Sequence, residues 1–197
     1  EVPGVELDPE TGEICVQVLR IAGNVLEIVP VIYRTAINKY MKQYGDKCTS
    51  ELMVLWIDPF PDLHDFTTSE TFDLNEMPVV SLLGLCGNQF VPQKLSLVKD
   101  QIIYYGLINK DDNLDVIKEF KIPFFTIDKI KTIGLDYIIN IIKNMIGDRP
   151  LYVSLDMKAF NEKLIKSVDW PNKYGLELEY VDKLLVELKN NIIGMDI

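Results

Sequence analysis

The sequence predicts an α/β domain of three layers, αβα, built around a mainly parallel sheet. Two observations carry that expectation. Short apolar runs rich in β-branched residues recur along the chain, and segments with apolar residues at three- and four-residue spacing fall between them. Alternation of this kind demands crossover connections, hence parallel strands with helices on both faces. A third observation concerns the strand ends: two of the apolar runs finish in aspartate. Ligands of open parallel sheets sit beyond the carboxyl ends of their strands.

The elements follow in order. Residues 1–13, rich in Pro, Gly and acids, are expected to be a surface segment or a hairpin lead-in, with a single domain over 14–197. Residues 14–23, ICVQVLRIAG, read as a strand, followed by a helix over about 25–44 with Pro30 in its first turn, where a missing N–H is tolerated. MVLWID at 53–58 is continuously apolar until its acid, the pattern of a central strand covered on both faces. A polar segment follows over 59–77. QIIYYG (101–106), PFFTI (123–127), PLYVSLD (150–156) and NIIGMDI (191–197) supply four more strands. Helices fit at 113–120, 134–146 and 180–191. The second should bury Ile138, Ile141, Ile142 and Met145, and the third Val181, Leu184, Leu185 and Leu188. The third stripe is also a candidate for assembly contacts.

Composition excludes several classes. The 197 residues are 48% hydrophobic, enough for one packed core and too apolar for a disordered chain. No run approaches the ~20 apolar residues of a membrane span. Thirty acids against 20 Lys and Arg give a net charge of −10, which repels phosphate backbones, so nucleic-acid binding is not expected. Three scattered cysteines, Cys15, Cys48 and Cys86, form no disulfide or zinc pattern and point to a reducing, intracellular compartment, cytoplasmic or mitochondrial. The chain starts at Glu1 without an initiator Met or a leader pattern, so it is expected to be processed or part of a longer product. No Walker A, glycine-rich dinucleotide loop or G-x-S-x-G elbow occurs. His64, the sole histidine, reads as a solvated loop residue before it reads as a catalytic base.

The strongest site signal is the set Asp58, Asp62 and Asp156 at two strand ends, since acids there must be paired, protonated or bound to a cation when buried. With its surroundings, VLWIDPFPDLHDFTTSETFDLNEMPVVSLL resembles the ureohydrolases (arginase, agmatinase and formiminoglutamase), in which a strand runs into Asp-Ala-His-x-Asp and, later, Asn-x-His-Gly-x-Pro. IIYYGLINKDD is similar to the family's Gly-Leu-Arg-Asp-x-Asp turn, and PLYVSLDMKAFNE to its Ser-x-Asp-x-Asp segment. RIAGNVLEIVPVI falls where Gly-Gly-Asp-His-Ser opens a helix, and IIGMDI where a strand precedes Glu-x-x-Pro. The five segments keep the family's order.

The resemblance implies an arginase- and deacetylase-like three-layer fold, with further strand–helix units expected before Glu1 and after Ile197. It also implies a site for two manganese ions held by two His and four Asp. Carried onto this chain, the two histidines fall on Val25 and Phe60, three of the acids on Asp58, Asp62 and Asp156, and the fourth on Lys158. The family's substrate-side histidine falls on Asn75; Asp111 stands for the acid that holds the substrate's amino group, with His64 nearby in the loop. Val25 and Phe60 have no lone pairs to give a metal, and Lys158 brings an ammonium instead. The expectation is a pseudoenzyme without cofactor, its ancestral manganese lost, with Lys158 paired to one or more of the three acids. It would serve as a structural or regulatory subunit of a homo-oligomer or larger assembly. A metal-dependent hydrolase with an altered site, and a metal-free binder of a cationic amino acid, stand as alternatives.

Overall fold

The computed structural model describes residues 5–7, 14–16, 51–71, 76–85, 96–109, 114–168 and 170–197. The helix expected over 25–44, with Val25 and Pro30, lies outside them, as do Cys48, Asn75, Cys86 and Asp111.

Five strands form one parallel sheet: β3 (Met53–Ile57), β4 (Ile102–Leu107), β5 (Phe124–Thr126), β6 (Leu151–Leu155) and β7 (Ile192–Asp196), in the order β5-β4-β3-β6-β7. Near the chain start, β1 (Val5–Leu7) pairs antiparallel with β2 (Ile14–Val16) in a separate two-stranded sheet. The expected strand 14–23 is thus represented by Ile14–Val16, and its remainder lies outside the described residues. Five α-helices, α1 (Pro78–Leu82), α2 (Leu114–Phe120), α3 (Ile127–Ile133), α4 (Leu135–Ile146) and α5 (Leu178–Leu188), and two 3-10 turns, Lys99–Gln101 and Met157–Ala159, complete the described elements.

Why β3 is apolar at every position is visible in its two faces. Met53, Leu55 and Ile57 join Ile103, Tyr105, Leu151 and Val153 in a core packed by α3, α4 and α5. Val54 and Trp56 turn the other way, to Val79 and Leu82 of α1 and Leu114 and Ile117 of α2. Successive side chains of a strand point to opposite faces, so a strand between two helical layers needs no polar residue. That is the three-layer arrangement.

Several expectations are corrected in detail. PFFTI was expected to be strand throughout, but Ile127 opens α3, with the Thr126 hydroxyl accepting from the Lys129 N–H at 3.2 Å as an N-cap. Gly134, at φ 102°, separates α3 from α4. On α4 the fully buried residues are Ile138, Ile139, Ile142 and Ile146, while Ile141 and Met145 pack at the margin. The helix packs against both α3 and α5. On α5, Val181, Leu184 and Leu188 are buried and Leu185 lies at the edge.

No helix among the described residues is long and apolar enough to cross a membrane.

Candidate functional site

The backbone ladder of the sheet continues past the strand ends, and this draws the candidate acids together. Asp58 N–H donates to Tyr105 O at 3.3 Å, and Asp156 N–H to Ile57 O at 2.9 Å. Each acid then bends its own chain in the same way. The Asp58 Oδ1 accepts from the Phe60 N–H at 2.7 Å, and the Asp156 Oδ1 from the Lys158 N–H at 2.6 Å. Both are Asx-type turns, in which a short carboxylate mimics a backbone carbonyl two residues before the donor. Asp156 thereby caps a short 3-10 turn over Met157–Ala159. Lys158 sits on this turn, because the cap ends the strand at Leu155.

The turn brings the Lys158 ammonium to 3.2 Å from Asp156 Oδ2, with both side chains about 30% exposed. Burial works against the charged lysine, yet attraction by Asp156, Asp58 and Asp62 outweighs it and holds the ammonium above its ordinary range. Asp58 is the innermost group, 3% exposed. Burial first, then the charges of Asp62 and Asp156, push its carboxyl well above the usual carboxylate range. The Phe60 N–H and the Lys158 ammonium oppose that shift without cancelling it.

Asp62 stands in the loop after β3 with φ 49°, a conformation that aspartate tolerates better than most residues. The loop is pinned from below by Tyr104, whose buried hydroxyl donates to Pro61 O at 2.7 Å. Phe60, half-buried, lies with its ring centroid 6.0 Å from the Lys158 Nζ. Trp170 meets the same ring edge-on at 6.4 Å. His64 is half-buried and donates its backbone N–H to Glu76 O at 3.0 Å, so it is less open to solvent than expected.

The structure therefore brings Asp58, Asp62, Asp156, Lys158 and Phe60 into one neighbourhood at the carboxyl edge of β3 and β6. Val25, Asn75 and Asp111 cannot be placed, being outside the described residues.

Sequence reasoning missed three contributors. Tyr104 was legible only as a strand residue. Trp170 sits in a loop whose return to Phe60 no local pattern announces. On β7, Asp196 accepts from the Ser154 hydroxyl at 2.9 Å, and burial raises its carboxyl. The acid at the end of IIGMDI was the available signal for that pair.

The ureohydrolase pattern implies ligands for a pair of divalent cations at these strand ends. At the second histidine position Phe60 offers no lone pair, and at the fourth acid position Lys158 offers a cation. Among the described residues no three His, Cys, Asp or Glu side chains are arranged to hold a metal ion.

A parallel sheet between helical layers, with acids gathered beyond β3 and β6, defines an arginase-like three-layer α/β protein. The family model described as Arginase family matches residues 35–197, and the chain belongs to that family. An arginase of Glaciozyma antarctica is 27% identical over 169 residues, 77% of this chain and 47% of the relative. A mitochondrial arginase-2 of Oryctolagus cuniculus is 27% identical over 139 residues, 65% of this chain and 39% of the relative. The chain thus spans about half or less of the length of these curated relatives. Solved structures share the fold. The Entamoeba histolytica arginase in complex with L-ornithine has a TM-score of 0.72 at 18% identity, covering 87% of this chain and 69% of that one. The Bacillus caldovelox arginase has a TM-score of 0.73 at 16% identity, covering 90% and 71%.

Proposed function

We propose that this chain is an arginase-family protein that has lost its binuclear manganese site and its hydrolase activity. In this reading it serves inside the cell as a structural or regulatory subunit of a homo-oligomer or larger assembly. The observation that carries the reading is the Lys158 ammonium, 3.2 Å from Asp156 Oδ2 and within the field of Asp58 and Asp62. A cation fixed on the protein offsets the same negative charge that a bound metal would, but it cannot polarise a water or accept one as a ligand. Phe60 supports the reading independently, since an aromatic ring replaces a lone-pair donor with apolar bulk. The relatives named arginase keep the fold in common with this chain; their activity is the property this reading withholds from it.

The test joins three measurements on the purified chain: elemental analysis for manganese, calorimetry with arginine and ornithine in the presence and absence of manganese, and the mass in solution by light scattering. Substoichiometric manganese, no heat and a mass above the monomer are expected. Stoichiometric manganese with manganese-dependent heat would restore a hydrolase. Heat without manganese would make the chain a binder of cationic amino acids, and a monomer would remove the homo-oligomer.

A further inference from the structure

Between β6 and α5 the chain closes a loop whose neck is tied by backbone bonds. Asn161 N–H donates to Leu176 O at 2.9 Å, Leu176 N–H to Ala159 O at 2.7 Å, and Glu162 N–H to Asn172 O at 2.8 Å. Gly175 permits the approach, because a Cβ there would lie 2.2 Å from the Phe160 carbonyl carbon. Two asparagine side chains add to the closure, and they act on different partners. Asn161 Nδ2 donates to Lys173 O at 2.9 Å, within the loop itself. Asn172 Nδ2 donates to Lys158 O at 3.3 Å, and so reaches the lysine that faces the acids.

The Asn172 amide is oriented for this contact by its other end. Its Oδ1 accepts from the Tyr174 N–H at 3.0 Å, which leaves the Nδ2 donor for Lys158 O. Lys158 is then held on both sides of its Cα: Asp156 Oδ1 takes its N–H at 2.6 Å, and Asn172 takes its C=O. With the backbone fixed, the freedom that remains lies in the long side chain, and ordering it costs rotamer entropy. Phe60 narrows that freedom, its ring centroid standing 6.0 Å from Nζ. Trp170 in turn meets the Phe60 ring edge-on at 6.4 Å. The loop therefore acts on Lys158 by two routes, directly through Asn172 and by way of Phe60 through Trp170.

We propose that Asn172 and Trp170 are positioning residues for the Lys158 ammonium. Asn172 fixes the lysine's backbone and Trp170 the aromatic wall beside its side chain, so that the cation stays on Asp156. The proposal rests on the reading of Lys158 as the fixed counter-ion of the site. It adds that the counter-ion is set by a residue 14 positions along the chain as well as by its own turn. Asn161 supplies the contrast: its side chain closes the same loop through Lys173 O and the Lys163 N–H, neither of which belongs to Lys158.

The experiment is a set of double-mutant cycles in urea unfolding of the whole chain, pairing Lys158→Met in turn with Asn172→Ala, Trp170→Ala and Asn161→Ala. Residues that only support the fold change the unfolding equilibrium constant by factors that multiply with that of Lys158→Met; a residue that acts through Lys158 loses part of its effect once the lysine is gone. The double variants at Asn172 and at Trp170 should fall short of the product of the single effects by about threefold or more, while that at Asn161 should match it to about twofold. In parallel, the native chain is acetylated with an N-hydroxysuccinimide ester and the rate at Lys158 is read by peptide mass spectrometry. That rate should rise severalfold in Asn172→Ala and in Trp170→Ala and hold in Asn161→Ala, because an ammonium kept on a carboxylate gives up its proton less readily. The Asn172 cycle decides the matter if Trp170→Ala does not fold. Multiplying effects at both Asn172 and Trp170 would overturn the proposal. So would a coupling at Asn161 equal to that at Asn172, which would make the loop a general support. Failure of the counter-ion reading looks different: Lys158→Met alone would then leave the unfolding equilibrium unchanged, whereas a cost at Lys158 with multiplying cycles removes only the positioning.

Discussion

Replacing Lys158 by Met removes one charge and keeps most of the stem's volume, so the cost isolates the electrostatic role of the ammonium. At the observed 3.2 Å to Asp156 Oδ2, Coulomb's law with an effective dielectric of ~20 gives about 5 kcal/mol of gross attraction. Both groups are about 30% exposed, and each loses hydration to reach this position. The net loss should therefore lie between that of an open surface pair and that of a buried one, about 1–3 kcal/mol at neutral pH.

The pH course is the sharper test. The attraction exists only while lysine and carboxylates are both charged. The folded state raises the proton affinity of Lys158, so the stability it contributes is complete below the unfolded lysine value of ~10.4 and is lost as pH climbs through the folded one. On the acid side the difference between wild type and variant shrinks as the carboxylates protonate. The share from Asp58 goes first, because its carboxyl is raised. Urea titrations followed by circular dichroism at acid, neutral and strongly alkaline pH would trace a dome in the difference. A difference that stays flat with pH, or a variant more stable than wild type at pH 7, would refute the argument that Lys158 neutralises these acids.

Other outcomes follow from the same geometry. Asp58→Asn keeps an oxygen for the Phe60 N–H but cannot ionise. Because the folded carboxyl is raised, wild-type stability falls as pH rises from the unfolded value of ~3.9 toward the folded one, so the variant should gain about 1 kcal/mol or more at pH 8 relative to pH 4; a lower thermal midpoint at pH 8 would contradict this. Gly175→Ala drives a methyl group into the backbone at Phe160 and Asn161 and should cost about 2–4 kcal/mol in urea unfolding, the worth of two or three neck hydrogen bonds plus strain. A loss under about 0.5 kcal/mol would show that the neck gives way easily. Phe60→His combined with Lys158→Asp supplies a lone-pair donor and a carboxylate beside Asp58, Asp62 and Asp156, and should raise manganese affinity by about tenfold or more over wild type in calorimetry. Equal affinity would mean that these two residues are not what bars the metal.

The sheet was legible because strands buried on both faces leave an uninterrupted apolar signature, as in MVLWI and LYVSL. Helix α3 was not, since IDKIKTI is two turns long and follows three strand residues without a break in hydrophobicity; only the Thr126 cap marks the border. At the site, Asp58, Asp62 and Asp156 could be found from their strand ends and from the order of motifs. Phe60 and Lys158 could be found only as departures from that order. The meeting of Phe60 with Trp170 was invisible, because it depends on how a distant loop closes, and loop closure here rests on asparagine amides and one glycine rather than on any periodic pattern.

That closure has a consequence for engineering. The neck of the loop is tied by its own backbone and by Asn161 and Asn172, not by the acids beneath it. Segments with ends so clasped accept replacement well, because the junction geometry does not depend on what is carried between. Sequence spliced between Asn161 and Asn172 would therefore have to keep two anchors, Ile165 against the core and Trp170 against Phe60, for the site below to stay as it is.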